Sequence, residues 1–185
     1  MPERNKELFY KIADEIEKDT YRYDQAIWGG SIFRPTADTP ECIEDTINQV
    51  KELACGTAHC IAGHAAMLSG WTPKIRKSYG FSSDGFVNIE INWEELEPPE
   101  GETNPDLLSD PHPGNLGERL LGLRPEEANV LFSEYWRPVD WRWEHALEDE
   151  PLSAWNAMAV GNALRSLGNG ASISEVTLYE DEPDW

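Results

Sequence analysis

Residues 54–71 read ACGTAHCIAGHAAMLSGW, and no other stretch limits the fold as tightly. Ala58, Ala62, Gly63, Ala65 and Ala66 carry almost no side-chain bulk. A helix built from them has its neighbours against its own backbone, which places it at the centre of the fold. Thr57 is a side-chain cap for such a helix over about 58–69, and Gly70 is its stop. Gly63 lowers helix propensity by about 1 kcal/mol relative to Ala. Close approach of another element is a reason to keep it.

Around this helix the apolar spacing predicts mainly helical structure. Leu8, Phe9, Ile12, Ala13 and Ile16 recur at helical intervals, giving an amphipathic helix over 3–19 with Pro2 at its first turn. Residues 29–38 read as loop from their Gly and Pro content. Thr39 then caps a second helix, with Pro40 at its first position and Glu41 and Glu44 towards its positive end. Ile43, Ile47, Val50 and Leu53 form its buried face, and Gly56 ends it. Further on, 115–121 is a short helix stopped by Gly122. Pro125 opens another, with Glu126 and Glu127 in its first turn and Ala128, Leu131 and Phe132 buried. Asp140 caps one that carries Trp141 and Trp143. The last long helix spans about 152–167, with Leu152, Trp155, Ala159, Ala163 and Leu167 on its buried face and Gly168 at its end.

The β signal is small. In residues 80–93, Phe86, Asn88, Glu90 and Asn92 alternate with Val87, Ile89, Ile91 and Trp93, as in a half-buried strand or hairpin. Residues 172–179, SISEVTLY, read as a final strand able to pair near Val87. The expected fold class is therefore mainly α (α+β), a compact helical domain around a small-residue central helix with a small antiparallel β element. One domain covers 1–185, with an acidic Pro-rich loop at 94–118, most open over 97–115, and an acidic tail at 180–185 as appendages.

Charge narrows the function classes. The 35 acidic residues against 15 basic ones give a formal net charge of −20 at pH 7. That balance repels nucleic acid and anionic membranes, so direct binding to either is not expected. No Lys or Arg occurs from Ser78 to Glu118. Glu94, Glu95, Glu97, Glu100, Glu102, Asp106 and Asp110 all fall in that window and are the candidate binding residues for a basic partner protein. Docking of this kind is steered by charge and weakens with salt. An ordinary solvated surface accounts for the same residues without a partner. Lys74, Arg76 and Lys77, beside Trp71 and Tyr79, form one small basic spot. It is either a solvated loop or a site for an anionic ligand such as a nucleotide.

The reactive side chains lie in the opening stretch. Cys55, His59, Cys60 and His64 have the residue types of a zinc site. On one continuous helix His59 and Cys60 diverge by 100°, so the four do not meet at a point. A site from Cys55, His59 and a distant ligand, His112 or His145, remains open. Cys60 near the first turn of a helix is also a place for a stabilised thiolate. Cys55-Gly56-x-Ala58 before a small-residue helix resembles the entry helix of papain-like peptidases that process bacteriocin leaders. That resemblance implies Cys55 as the nucleophile and a histidine on a later strand as base. Strand 86–92 contains no histidine, and His112 sits between prolines. Packing is the third reading, since buried cysteine behaves as a small apolar group. Cys42 has no partner in sequence. Phosphate-loop, dinucleotide and H-E-x-x-H patterns are absent.

Three blocks in order resemble a family of uncharacterised small proteins encoded by bacteria and their phages. They are Asp19-Thr20-Tyr21-Arg22-Tyr23-Asp24-Gln25 with Trp28, then Cys55-Gly56-Thr57-x-x-Cys60-Ile61-Ala62-Gly63-His64-Ala65, then Leu120-Leu121-Gly122-Leu123-x-x-Glu126-Glu127-Ala128 with Leu131-Phe132 and Trp136. The resemblance implies no assigned reaction. With no signal-peptide core, no apolar run of about 18 residues and an odd three cysteines, a reducing bacterial cytoplasm is the expected setting. The expected function is a non-enzymatic acidic binding protein of phage or mobile-element type, docking on a bacterial protein. The alternatives are a cysteine-dependent hydrolase or zinc protein at Cys55 and Cys60, and a nucleotide-type ligand sponge.

Overall fold

Leu8, Phe9, Ile12, Ala13 and Ile16 are all buried in the computed structural model, which describes residues 3–18, 32–33, 39–54, 60–79, 87–133, 136–142 and 153–178. In chain order the elements are α1 (Lys6–Lys18), β1 (Ile32–Phe33), α2 (Pro40–Ala54), α3 (Ile61–Leu68), β2 (Thr72–Tyr79), β3 (Val87–Glu97), α4 (Pro105–Leu108), α5 (Pro113–Leu121), α6 (Pro125–Leu131), α7 (Ala154–Gly168) and α8 (Ile173–Val176). The fold is mainly helical with one small antiparallel sheet, ordered β1-β3-β2. Asn5 starts α1: its Oδ1 accepts the Leu8 N–H at 3.1 Å. The helix therefore begins at Lys6, later than a start at Pro2 would place it. Each large side chain on its inner face contributes about 1.5–3 kcal/mol by leaving water.

The core has two parts joined through α3 and Leu120. The larger gathers the inner face of α1 with Ile61, Ala65, Leu121, Leu131, Val160, Leu164 and Leu167. The smaller contains Ala66, Trp71, Leu96 and Leu116, with Ile43 and Ile47 of α2 against it. Helix α3 thus feeds both parts, and its residues from Ile61 to Ala66 are all buried. The close approach the small residues require comes from α5. A Cβ on Gly117 would lie 2.9 Å from the Ala62 Cβ and 3.0 Å from its Cα. The tight contact is at Ala62, one residue before Gly63. Thr39 caps α2 as expected, accepting the Cys42 N–H at 3.3 Å. The side chains of Val50 and Leu53, Gly56, and the turn at Thr57 lie outside the described residues.

Several expectations need correction. Helix α3 starts at Ile61, with Cys60 as its cap, because the Cys60 sulfur accepts the Gly63 N–H. Within the expected loop 29–38, Ile32 and Phe33 pair with Ile89 and Glu90 of β3. The basic spot is in strand β2, in register from Thr72↔Glu97 to Tyr79↔Val87 with an irregularity after Pro73, which has no N–H for the ladder. Segment 94–118 is loop only over 98–104 and 109–112: its start completes β3, and it holds α4 and most of α5, with Leu96 and Leu116 in the core. Where 172–179 is expected as a strand, Ile173–Val176 form helix α8, because Glu175 accepts the Ser172 N–H at 2.6 Å in a capping box; Tyr179 lies outside the described residues. Thr177 bridges to Pro138, away from β3. Trp155 is 44% exposed, and Asn156 takes the inward position on α7. The Asn156 amide is inward because it accepts the Arg142 N–H at 2.9 Å and donates to the Arg142 carbonyl at 3.0 Å. Asp140 and Trp141 are not helical, and residues 143–150 lie outside the described part.

Candidate functional site

Cys60 and His64 stand one turn apart on α3. The Cys60 sulfur is 3.5 Å from the Gly63 nitrogen and the residue is 1% exposed; His64 is also buried. A thiol so placed satisfies the helix start and does not meet solvent. Cys55, His59 and His145 lie outside the described residues. Among the described residues no three His, Cys, Asp or Glu side chains gather to hold a metal ion. His112 has a local task as the cap of α5, its Nδ1 accepting the Gly114 N–H at 3.2 Å. Asp110 supports this turn. It accepts the His112 N–H and, at 2.6 Å, the Asn115 amide, and these bonds hold its carboxyl below the usual range.

The acidic candidates separate into two groups. Glu95 pairs with Lys74 at 3.1 Å, and Glu102 accepts the Asn104 N–H at 2.8 Å. Glu102 and Asp110 are thus engaged by their own segment, and Glu95 by the neighbouring strand β2. Glu97, Glu100 and Asp106 are exposed, and no described cation lies within ion-pair distance of them. The side chain of Glu94 is outside the described part. Arg119, close in sequence, donates instead to the Asp106 and Asp110 carbonyls. Of the basic candidates, Lys74 is taken up by Glu95, and the side chains of Arg76 and Lys77 are not described. Trp71 is buried in the smaller core, so its ring is not open to stack on a ligand.

No protein-family model, no curated protein and no solved structure matches the chain.

A compact, partly buried charge cluster lies elsewhere in the described structure. Glu127, the third residue of α6, is buried and takes the Arg4 guanidinium at 2.5 Å and that of Arg124 at 3.1 Å. Its other oxygen accepts the Arg124 N–H at 3.0 Å. Burial acts to raise its pKa, but the bonds from Arg124 and Arg4 prevail and lower it to about 2. Arg4 also donates to the Leu167 carbonyl at 2.9 Å and to the Ala171 carbonyl, at the end of α7. Three distant segments therefore converge here: the start of α1, the α5–α6 turn and the α7–α8 turn. Gly122 makes this possible, with φ at +66° and the Glu3–Arg4 backbone where its side chain would be. Sequence reading gave Glu127 only a helix-dipole role. The run Gly122-Leu-Arg-Pro-Glu-Glu127 shows the local helix start, but nothing in it points to Arg4.

Proposed function

We propose that this chain is a non-enzymatic acidic binding protein, of phage or mobile-element type, that docks on the basic surface of a bacterial partner protein. The partner's chemistry is that of a nucleic-acid-binding face, which the docked chain would cover and so inhibit. One observation carries the reading: most described cations have partners of their own, while Glu97, Glu100 and Asp106 remain exposed with no described cation beside them. Lys11 pairs with Glu7, Lys18 with Glu15, Lys74 with Glu95, and Arg165 with Asp14 and Glu17. Arg4 and Arg124 share Glu127. Arg142 lies over the Trp155 ring at 3.4 Å and Arg137 over Trp141 at 4.9 Å. The field left over is negative, and a field of that sign raises association rates with cationic surfaces.

The test is capture from bacterial lysate on the immobilised full chain, beside the triple variant E97K/E100K/D106K. The expected result is a basic protein retained at low salt, released as salt rises, and not retained by the variant. Equal retention by both chains, or no salt dependence, overturns the reading.

A further inference from the structure

The Arg4–Glu127–Arg124 cluster borders a cleft of about 520 Å³, within the range of small-molecule sites. Its lining includes Arg4, Lys6 and Arg124 against Glu3 and Glu127. In a chain of net charge −20, this is a place where cations outnumber carboxylates. We infer that the cleft is a binding site for a small anionic molecule held through a carboxylate or phosphate group. The site is distinct from the acidic surface of the proposed docking function and does not depend on it.

The geometry supports the inference in three ways. First, Arg124 is fixed but not used up. Its Nη2 is tied to Glu127, its side chain is 55% exposed, and Nε and Nη1 have no hydrogen bond among the described residues. A guanidinium offers paired donors suited to an oxyanion, and one already oriented loses less freedom on binding. Second, Lys6 enters from the adjacent start of α1. Its ammonium lies 5.5 Å from the Tyr10 ring and has no carboxylate partner among the described residues. Third, part of the wall carries no side chain. Gly168 and Gly170 line it, and a Cβ on Gly170 would meet nothing within 4 Å. Glu127 acts here as a positioning residue, because its charge persists down to a pH of about 2 and holds both arginines in place.

The experiment is an NMR titration of the full chain with inorganic phosphate and, separately, succinate, each against NaCl of equal ionic strength. The expected result is saturable amide shifts at Gly122, Arg124, Gly170 and Ser172 with at least one anion and not with NaCl. Saturation by phosphate alone assigns a phosphate site, and by succinate alone a carboxylate site. Arg124→Gln leaves the Arg4–Glu127 pair intact and weakens binding by about tenfold or more. Lys6→Gln, on the exposed side of α1, weakens it by a smaller factor and keeps the test open should the first variant misfold. Non-saturable shifts, shifts matched by NaCl, or unchanged affinity in the folded variants overturn the inference.

Discussion

Glu127 shows how far one side chain's role exceeds its local sequence. A carboxylate in the first turn of α6 suits the helix dipole, and the sequence shows that much. Its burial depends on Arg4, 123 residues away, so no short window contains the reason. The folded pKa of about 2 lies below the ordinary 4.5. The ion pair therefore adds stability that is fully present above pH 4.5 and is lost as pH falls towards 2. Replacing Glu127 by Gln should destabilise the protein by about 3 kcal/mol near neutral pH, where it leaves Arg4 without its counter-charge. The difference from the parent should shrink steadily below pH 4.5. Urea denaturation at a series of pH values measures both effects, and a pH-independent difference would contradict the assignment.

Elements were legible where one face of a helix sets the pattern. Helix α1 has its expected inner face, and α2 starts at its expected cap, Thr39; α7 falls within a residue or two of its expected span, its cap Ser153 being a finding of the structure. What misled was any signal with two readings. Alternation in SISEVTLY competes with the Ser172–Glu175 capping box, and the box prevails at this short length. Strand β2 is hidden by its Lys and Arg content, though it has a long antiparallel partner in β3. The prolines and carboxylates of 94–118 suggest open loop, yet Pro105 and Pro113 each begin a helix, the first-turn position where a missing N–H is harmless. The close contact of α3 was readable, but the residue receiving it was not, since Gly117 belongs to another element. Gly117→Ala should cost about 1–3 kcal/mol by pushing α5 from Ala62. Adding Ala62→Gly should recover part of that loss. A thermal double-mutant cycle reads the coupling, and strictly additive effects would rule out this contact.

At the scale of the molecule, charge and topology act together. A net charge of −20, with most of the described cations engaged, leaves carboxylates repelling one another across the surface. Raising ionic strength from about 10 mM to about 150 mM shortens the screening length from about 30 Å to about 8 Å. If screening relieves about 1 kcal/mol, the thermal midpoint rises by about 2–4 °C. A midpoint that falls with salt would mean that the internal ion pairs outweigh the repulsion. Of the candidate site, the sequence made the exposed acids visible but not the cleft, whose lining comes from three separated turns. The packing of α1 on α7 has one more effect, on how the chain folds as it is made. Helix α1 (Lys6–Lys18) leaves the ribosome well before its partner α7 (Ala154–Gly168), which lies far along the chain. Until α7 has emerged, Phe9, Ile12 and Ile16 lack the α7 surface that helps cover them, so the nascent chain exposes an apolar stripe over that interval. The fold closes like a clasp once α7 emerges, and a chain stalled before Ala154 would be a substrate for chaperones or proteases.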